Sequence, residues 1–80
     1  MRLDKYLKVS RLIKRRTIAN EACDAGRVLI NDKPAKASTN VKVSDIITIQ
    51  FGNKEVKVEV LAIVETVKKD EAKELFKYIL

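Results

Sequence analysis

Several residue types on which enzymes and metal sites depend are scarce in this 80-residue chain. It has no histidine, one cysteine, two glycines and one proline. No metal-ligand set stands out, and the carboxylates are scattered and matched by lysines, so no acid–base pair stands out either. Two glycines are too few for a glycine-rich phosphate loop. The lone Cys23 excludes an internal disulfide, which is typical of a reducing compartment. We therefore expect no enzyme, no cofactor and no bound metal.

Long apolar runs are also missing. The longest, Val60–Val64, is far short of the roughly 20 residues that a membrane helix needs. The start of the chain has no apolar segment of the kind found in signal peptides. A hydrophobic content of 46% argues against disorder. These features predict one soluble, cytoplasmic domain.

Positive charge is distributed unevenly. Residues 1–36 carry ten Lys or Arg and four Asp or Glu, whereas residues 37–80 carry seven of each. The formal charge of +6 therefore belongs to the first part of the chain, and all five arginines lie between Arg2 and Arg27. A one-sided basic surface is typical of proteins that bind a polyanion, and the arginine fork suits phosphate.

Two helices are predicted at the start of the chain. A short one contains Leu3, Tyr6 and Leu7 on one side. A second fits residues 17–25, with Thr17 as its cap, Gly26 just past its end, and an apolar stripe. The stripe consists of Ile18, Ala19, Ala22 and Cys23.

Strands follow the second helix. Val28–Ile30 reads as a strand that ends in a turn at residues 31–34. The clearest local signal is a hairpin, in which Ile46–Phe51 and Lys54–Val60 flank Gly52-Asn53, a pair that suits a type II′ turn. Beyond a linker from residue 64, the spacing of Ala72, Leu75, Phe76, Ile79 and Leu80 predicts a closing helix that begins at Asp70.

The predicted fold class is α+β, with two N-terminal helices packed on a small antiparallel or mixed β-sheet and a C-terminal amphipathic helix. Residues 1–63 would form the main part of the domain, which carries the basic surface for a polyanion. Residues 64–80 would supply the linker and the last helix of the same domain.

The strongest candidate site is Lys14-Arg15-Arg16-Thr17. These cations crowd the N-terminus of the second helix, where they oppose the helix dipole at a cost of about 0.3–1 kcal/mol per charge. A bound phosphate would reverse that cost, because free N–H groups, a hydroxyl and several cations would meet it together. We interpret the segment as a clamp for a phosphate backbone; a solvated basic loop is the alternative.

Other basic residues could surround the same groove. Arg2 and Lys5 lie one turn apart on the first helix, Arg11 follows it, and Arg27 follows the second helix. Asp4 fits a structural pair with Lys8 better than a role in orienting Arg2. Further candidate contacts are Tyr6, which fits a core position better than base stacking, and Lys33 and Lys36.

The first half of the chain resembles a known RNA-binding module. The matching elements are Arg2-Leu3-Asp4-Lys5-Tyr6-Leu7, Ser10-Arg11, Lys14-Arg15-Arg16-Thr17, Ala25-Gly26-Arg27-Val28 and Ile30-Asn31. They are similar to the αL motif of the ribosomal protein S-four type, over roughly residues 1–61. The turn departs from the family at Asp32, where glycine is usual, and we expect the turn to survive because aspartate tolerates a left-handed conformation.

Within this family the chain resembles the small heat-shock-protein-fifteen-like group. We expect the module to stand alone, without a catalytic domain beside it, and its balanced C-terminal segment favours a branch that acts in ribosome-associated quality control. The resemblance implies binding to rRNA of the 50S subunit and to peptidyl-tRNA, beside a factor that adds alanines to stalled chains without mRNA. It also implies RNA contacts at Arg2, Lys5, Arg11, Arg15, Arg16 and Thr17, with Asp4 beside them. We expect a monomer away from the ribosome, and no membrane partner.

Three alternatives stay open. The protein could be a general binder of structured RNA that rescues dissociated 50S subunits, as in the heat-shock-protein-fifteen type. It could bind duplex DNA through its two short helices, although the outward residues Asn20, Glu21 and Asp24 are mostly acidic. It could also be an adaptor that docks a protein on its last helix.

Overall fold

A five-stranded antiparallel sheet and two short helices make up the fold in the computed structural model, which describes residues 1–79. The helices are α1 (Leu3–Val9) and α2 (Arg16–Asp24). The strands are β1 (Val28–Ile30), β2 (Lys33–Pro34), β3 (Ile46–Phe51), β4 (Lys54–Val60) and β5 (Phe76–Tyr78). They lie in the order β2-β1-β3-β4-β5, and every neighbouring pair is antiparallel. The predicted α+β class is confirmed.

The two hairpins follow from their turn residues. Ile30 pairs with Lys33 across Asn31 and Asp32, which both have positive φ angles of 51° and 67°. These angles are typical of a type I′ turn, which requires positive φ at both central residues. Asp32 thus adopts the left-handed conformation, as expected. The second hairpin pairs Phe51 with Lys54, and Gly52 has a φ of 56°. Its strand bounds agree with those predicted.

Helix α2 ends as predicted but begins differently. Gly26 has a φ of 77°, and its N–H bonds the Cys23 carbonyl while Arg27 N–H bonds that of Ala22. These two bonds form a Schellman motif. The helix starts at Arg16 with Arg15 as N-cap, so Thr17 lies inside the first turn and is not the cap. Ile18, predicted on the apolar stripe, is 50% exposed.

The core lies between the helices and one face of the sheet. Small residues on α2, Ala19 and Cys23, face inward and are buried, which lets α1 and α2 pack closely. The larger buried side chains come from both layers: Leu3, Leu7, Val28, Ile47, Ile49, Val58 and Val60. Burial raises the pKa of the Cys23 thiol to about 11, so it stays protonated.

The predicted C-terminal helix is wrong. The segment forms a single 3-10 turn at Ala72–Glu74 and then the strand β5, which pairs with β4. An isolated eleven-residue helix is marginal, whereas the outer edge of β4 offers unpaired backbone groups, and aromatic residues suit a strand. Phe76 is buried and Ile79 is half exposed, as strand pairing rather than a helical stripe requires. Leu80, the last residue of the predicted stripe, lies outside the described residues.

The segment after residue 63 nevertheless packs on the same sheet. Leu61 and Ala62 N–H groups bond the Leu75 carbonyl at 2.8 and 3.2 Å, and Ile79 N–H bonds the Lys57 carbonyl at 2.8 Å. The division of the chain at residue 63 stays a prediction. None of the helices in residues 1–79 is long and apolar enough to cross a membrane.

Candidate RNA-binding site

The candidate site is centred on Asp4, which lies in the first turn of α1 and is 2% exposed. Two backbone hydrogen bonds to residues 37–39 position this turn. Leu3 N–H bonds the Thr39 carbonyl at 2.8 Å, and Asp4 N–H bonds the Ala37 carbonyl at 3.2 Å. The packing of α1 against α2 brings Asp4 to the N-terminal half of α2. The carboxylate is thereby removed from water and must be matched by donors.

Two arginines from different elements meet this carboxylate. Arg2 donates from Nε to Oδ1 at 3.2 Å and from Nη2 to Oδ2 at 3.4 Å. Arg16, at the start of α2, donates from Nε to Oδ2 at 3.4 Å. The side chains of Arg2 and Arg16 are 49% and 47% exposed, against 3% for that of Asp4. One buried anion therefore holds two guanidinium groups side by side, with about half of each facing solvent.

Two neutral donors complete the arrangement. Lys5 N–H bonds Asp4 Oδ1 at 2.8 Å, and Asn20 donates from Nδ2 to Oδ2 at 3.3 Å. Burial by itself raises the pKa of Asp4, but the hydrogen bonds from Asn20 and Arg16, with the Arg16 charge, outweigh it and hold the pKa below the ordinary 3.8. Asp4 is therefore ionised at neutral pH.

This geometry changes the interpretation of Asp4. The sequence favoured a pair with Lys8, whereas the structure engages Asp4 with Arg2 and Arg16. The carboxylate thus acts as an orienting group for two cations. Arg16 uses only its Nε atom in this contact, which leaves both Nη groups to donate to a ligand such as a phosphate.

A shallow concavity lies beside the arginines. It is lined by Asp4, Arg16, Thr17, Asn20 and Glu21. In the structure of residues 1–79, no side chain caps the start of α2 and no acidic residue lies in its first turn. The N-terminus of a nine-residue helix, the Thr17 hydroxyl and Arg16 are thus available together, as the proposed phosphate clamp requires.

The structure places several of the other predicted basic residues outside this concavity. Arg11 and Lys14 line a different cleft, at the far end of α1. Lys14, predicted as part of the clamp, therefore does not line the concavity beside Arg16 and Thr17. Lys5 forms an ion pair with Glu65, and the hydrogen bond from Lys5 lowers the pKa of that carboxyl. Arg15, the N-cap residue of α2, is exposed next to Arg16.

The structure does not bring Arg27 to the clamp. About 12 Å of helix separates Arg16 from the end of α2, after which Arg27 follows. Lys33 and Lys36 are exposed on and just after β2. Tyr6 is completely buried and its hydroxyl bonds the Leu75 carbonyl, which favours the core interpretation over base stacking.

Sequence reasoning missed Asn20 and Lys8. Asn20 lies four residues after Arg16, a spacing that puts both side chains on one face of α2. Lys8 belongs to a regular series with a basic residue at every third position: Arg2, Lys5, Lys8, Arg11 and Lys14. Either spacing could have identified these residues.

Two arginines held by one buried aspartate, beside an uncapped helix start, form a basic site on a small α+β domain. A family model described as "S4 domain" matches residues 1–47. A protein of Halalkalibacterium halodurans named "RQC P-site tRNA stabilizing factor" is 57% identical over 76 residues, which cover 95% of this chain and 86% of that protein. A Bacillus subtilis protein of the same name is 55% identical over 76 residues, covering 95% and 88%.

A solved trimeric structure of Vibrio cholerae Heat Shock Protein 15 is also similar. It superposes with a TM-score of 0.90 at 30% identity, covering 98% of this chain and 80% of that one. The chain therefore belongs to the S4-domain family and, within it, to the group that contains the RQC P-site tRNA stabilizing factors. The predicted membership is confirmed.

Proposed function

We propose that this chain is a non-catalytic RNA-binding factor that binds rRNA and peptidyl-tRNA on the 50S subunit during ribosome-associated quality control. The observation that carries the proposal is the Asp4 centre, in which one buried carboxylate orients Arg2 and Arg16. Pre-oriented guanidinium groups lose less side-chain entropy when they bind phosphate than free ones do. The names of the relatives in Halalkalibacterium halodurans and Bacillus subtilis support the tRNA and the pathway.

The finer part of the proposal concerns the nascent chain. The factor would hold peptidyl-tRNA on the obstructed subunit while a separate enzyme adds alanines without mRNA. In the described residues no group of three or more His, Cys, Asp or Glu could hold a metal ion. A role in positioning RNA needs only the basic surface described above.

Co-sedimentation with purified 50S subunits that carry peptidyl-tRNA tests the RNA-binding part. Arg16→Ala should weaken binding about ten-fold or more and make the log–log salt slope shallower by about 0.7–0.9, because one phosphate contact is lost. Arg16→Lys should recover only part of the affinity, since lysine lacks the fork that reaches Asp4 and phosphate together.

Lys54→Ala is the matched control, since it removes an exposed cation at the β3–β4 hairpin. It should leave the affinity nearly unchanged. Equal losses in Lys54→Ala and Arg16→Ala would contradict a specific site and indicate a general effect of net charge.

A second candidate function has structural support. The superposition on Heat Shock Protein 15 covers 98% of this chain, so a general binder of dissociated 50S subunits would have the same fold. Affinities for 50S subunits with and without peptidyl-tRNA separate the two functions. Tighter binding with peptidyl-tRNA supports the quality-control factor, and equal binding supports the general binder.

The role in tailing has its own test. Cells that lack this gene should lose alanine tails on stalled chains, and the wild-type gene should restore them while the Arg16→Ala gene does not. Unchanged tails in the deletion strain would exclude this part of the proposal and leave the RNA-binding part intact.

A further inference from the structure

A second basic cleft lies at the C-terminal end of α1, between that helix and residues 65–69. Its volume is about 450 Å³. Four cations line it: Lys8, Arg11, Lys14 and Lys69. Thr66 adds a hydroxyl and Glu65 a single carboxylate, with Val9 and Val67 as apolar lining. The cleft thus has the composition of a site for a polyanion.

The four cations form no ion pair within the part of the chain that the structure describes. Their side chains are exposed, and none belongs to the ion pairs formed within residues 1–79. Like charges gathered in one cleft repel one another, which opposes folding. A ligand with several phosphates would turn this repulsion into attraction.

The backbone of Arg11 is a second, independent observation. Arg11 follows the C-cap Ser10 with a φ of 62°, a left-handed position that usually belongs to glycine. The conformation is held by a bond of 3.1 Å from Arg11 N–H to the Lys8 carbonyl and one of 3.1 Å from Ile13 N–H to the Leu7 carbonyl. A strained residue with a long cation, where glycine would be easier, is typical of a functional position.

The cleft is separated from the Asp4 centre. Helix α1 has seven residues, so it is about 10 Å long, with Asp4 in its first turn and Arg11 beyond its last. Glu65, which lines the cleft, forms its ion pair with Lys5 of α1. Its carboxylate interrupts the positive surface, which favours two sites over one continuous one.

We propose that this cleft is a second RNA site, which binds a stretch of phosphodiester backbone different from the stretch held beside Asp4. The proposal rests on the proposed function, because it requires that the ligand of the protein is RNA. It makes Lys8 and Lys69 RNA-binding residues and makes the segment 65–69 part of the RNA-binding surface. Two separated contacts would fix the orientation of the domain, which a single clamp cannot do.

Hydroxyl-radical footprinting tests the proposal, because it reports which backbone positions a protein covers. The probe is the 50S subunit that carries peptidyl-tRNA, with cleavage read in both RNAs at saturating protein. We expect the wild type to protect two separate stretches. The variant Lys8→Gln/Lys69→Gln should lose one stretch and keep the other, and Arg16→Ala should show the reverse pattern.

Affinity gives a second readout. Lys8→Gln/Lys69→Gln should bind about ten-fold more weakly and show a salt slope shallower by about 1.4–1.8, as expected for two lost phosphate contacts. The matched control, Lys54→Gln/Lys73→Gln, removes two exposed cations outside the cleft and should bind like the wild type.

Four results would overturn the proposal. Unchanged protection and affinity in Lys8→Gln/Lys69→Gln would show that the cleft does not bind RNA. Joint fading of both stretches would show one continuous site. A wild type that protects neither RNA would overturn the proposed function as well, whereas one that protects only the stretch lost in Arg16→Ala would overturn the second site alone.

Discussion

The Tyr6 hydroxyl donates a 2.7 Å hydrogen bond to the backbone carbonyl of Leu75, 69 residues away in the sequence. The same carbonyl accepts the N–H groups of Leu61 and Ala62. Helix α1, which carries the Asp4 centre, is thereby joined to the segment that leads into β5. The closing segment supports the basic half of the domain through this contact.

Phenylalanine at position 6 tests this support. Tyr6→Phe keeps the buried ring and removes one of three bonds to the Leu75 carbonyl, so the free energy of unfolding should fall by about 1 kcal/mol. Urea denaturation measures the change. Binding to 50S subunits should be unaffected well below the melting temperature. Weaker binding by the folded variant would instead indicate that RNA contacts the tyrosine.

The Asp4 carboxylate should make stability depend on pH. Its pKa is lower in the folded chain than the ordinary 3.8. As pH falls, the unfolded chain therefore takes up a proton before the folded chain does. The stability that Asp4 contributes is complete well above the ordinary pKa of 3.8 and is lost as pH falls through the folded pKa. Urea midpoints between pH 7 and pH 3 measure this loss.

Asp4→Asn isolates the effect. The amide cannot ionise and leaves Arg2 and Arg16 without their anion, so this variant should be less stable at pH 7 by about 1–3 kcal/mol. The difference from the wild type should shrink toward pH 3. A difference that is constant across this range would contradict the role of the ionised carboxylate.

Glycine at position 11 should separate stability from binding. Arg11→Gly relieves the left-handed strain, which more than offsets the added freedom of the unfolded chain, so the free energy of unfolding should rise by about 0.5–1 kcal/mol. The same change removes a cation from the second cleft and should weaken 50S binding several-fold.

Two further substitutions serve as controls for position 11. Arg11→Ala keeps the strain and loses the charge, so it should weaken binding without any gain in stability. Arg11→Lys keeps the charge and should bind nearly as the wild type does. If Arg11→Gly were no more stable than Arg11→Ala, the strain argument would fail.

Removal of the Glu65 carboxylate should strengthen RNA binding. Glu65→Gln frees Lys5 from its ion pair and removes the negative charge that interrupts the basic surface. Affinity for 50S subunits should rise about two- to five-fold at low salt, and the gain should shrink at high salt. Fluorescence titration measures it, with Glu55→Gln, an exposed acid on β4, as the control expected to change little. An equal rise in both variants would reduce the effect to net charge.

Local patterns predicted much of the fold. The β3–β4 hairpin, the left-handed Asp32 and the end of α2 at Gly26 follow from interactions within a few residues. The closing helix could not be judged in this way, because an apolar spacing that suits a helix also suits a strand once a sheet edge is available. The predicted start of α2 is one residue late, because Thr17 was the expected cap whereas no side chain caps the helix in the structure of residues 1–79.

The candidate site shows the same division. The clustering of arginines and the option that Asp4 orients Arg2 were visible in the sequence, whereas Arg16 as a partner of Asp4 was not. Lys8 was the natural choice by helical spacing, but Arg16 lies twelve residues away and reaches Asp4 only because α1 and α2 pack together. A partner that distant in sequence is selected by packing, which no periodicity encodes.

The sequence by itself determined the charge asymmetry, the two turns and the class of the domain, since each depends on composition or on neighbouring residues. Only the tertiary structure decided that Asp4 orients two arginines, that the Tyr6 hydroxyl bonds the Leu75 carbonyl and that residues 76–78 extend the sheet. The physical reason is burial. Removing a carboxylate, a hydroxyl or a strand edge from water requires partners, and the folded chain supplies them from remote positions.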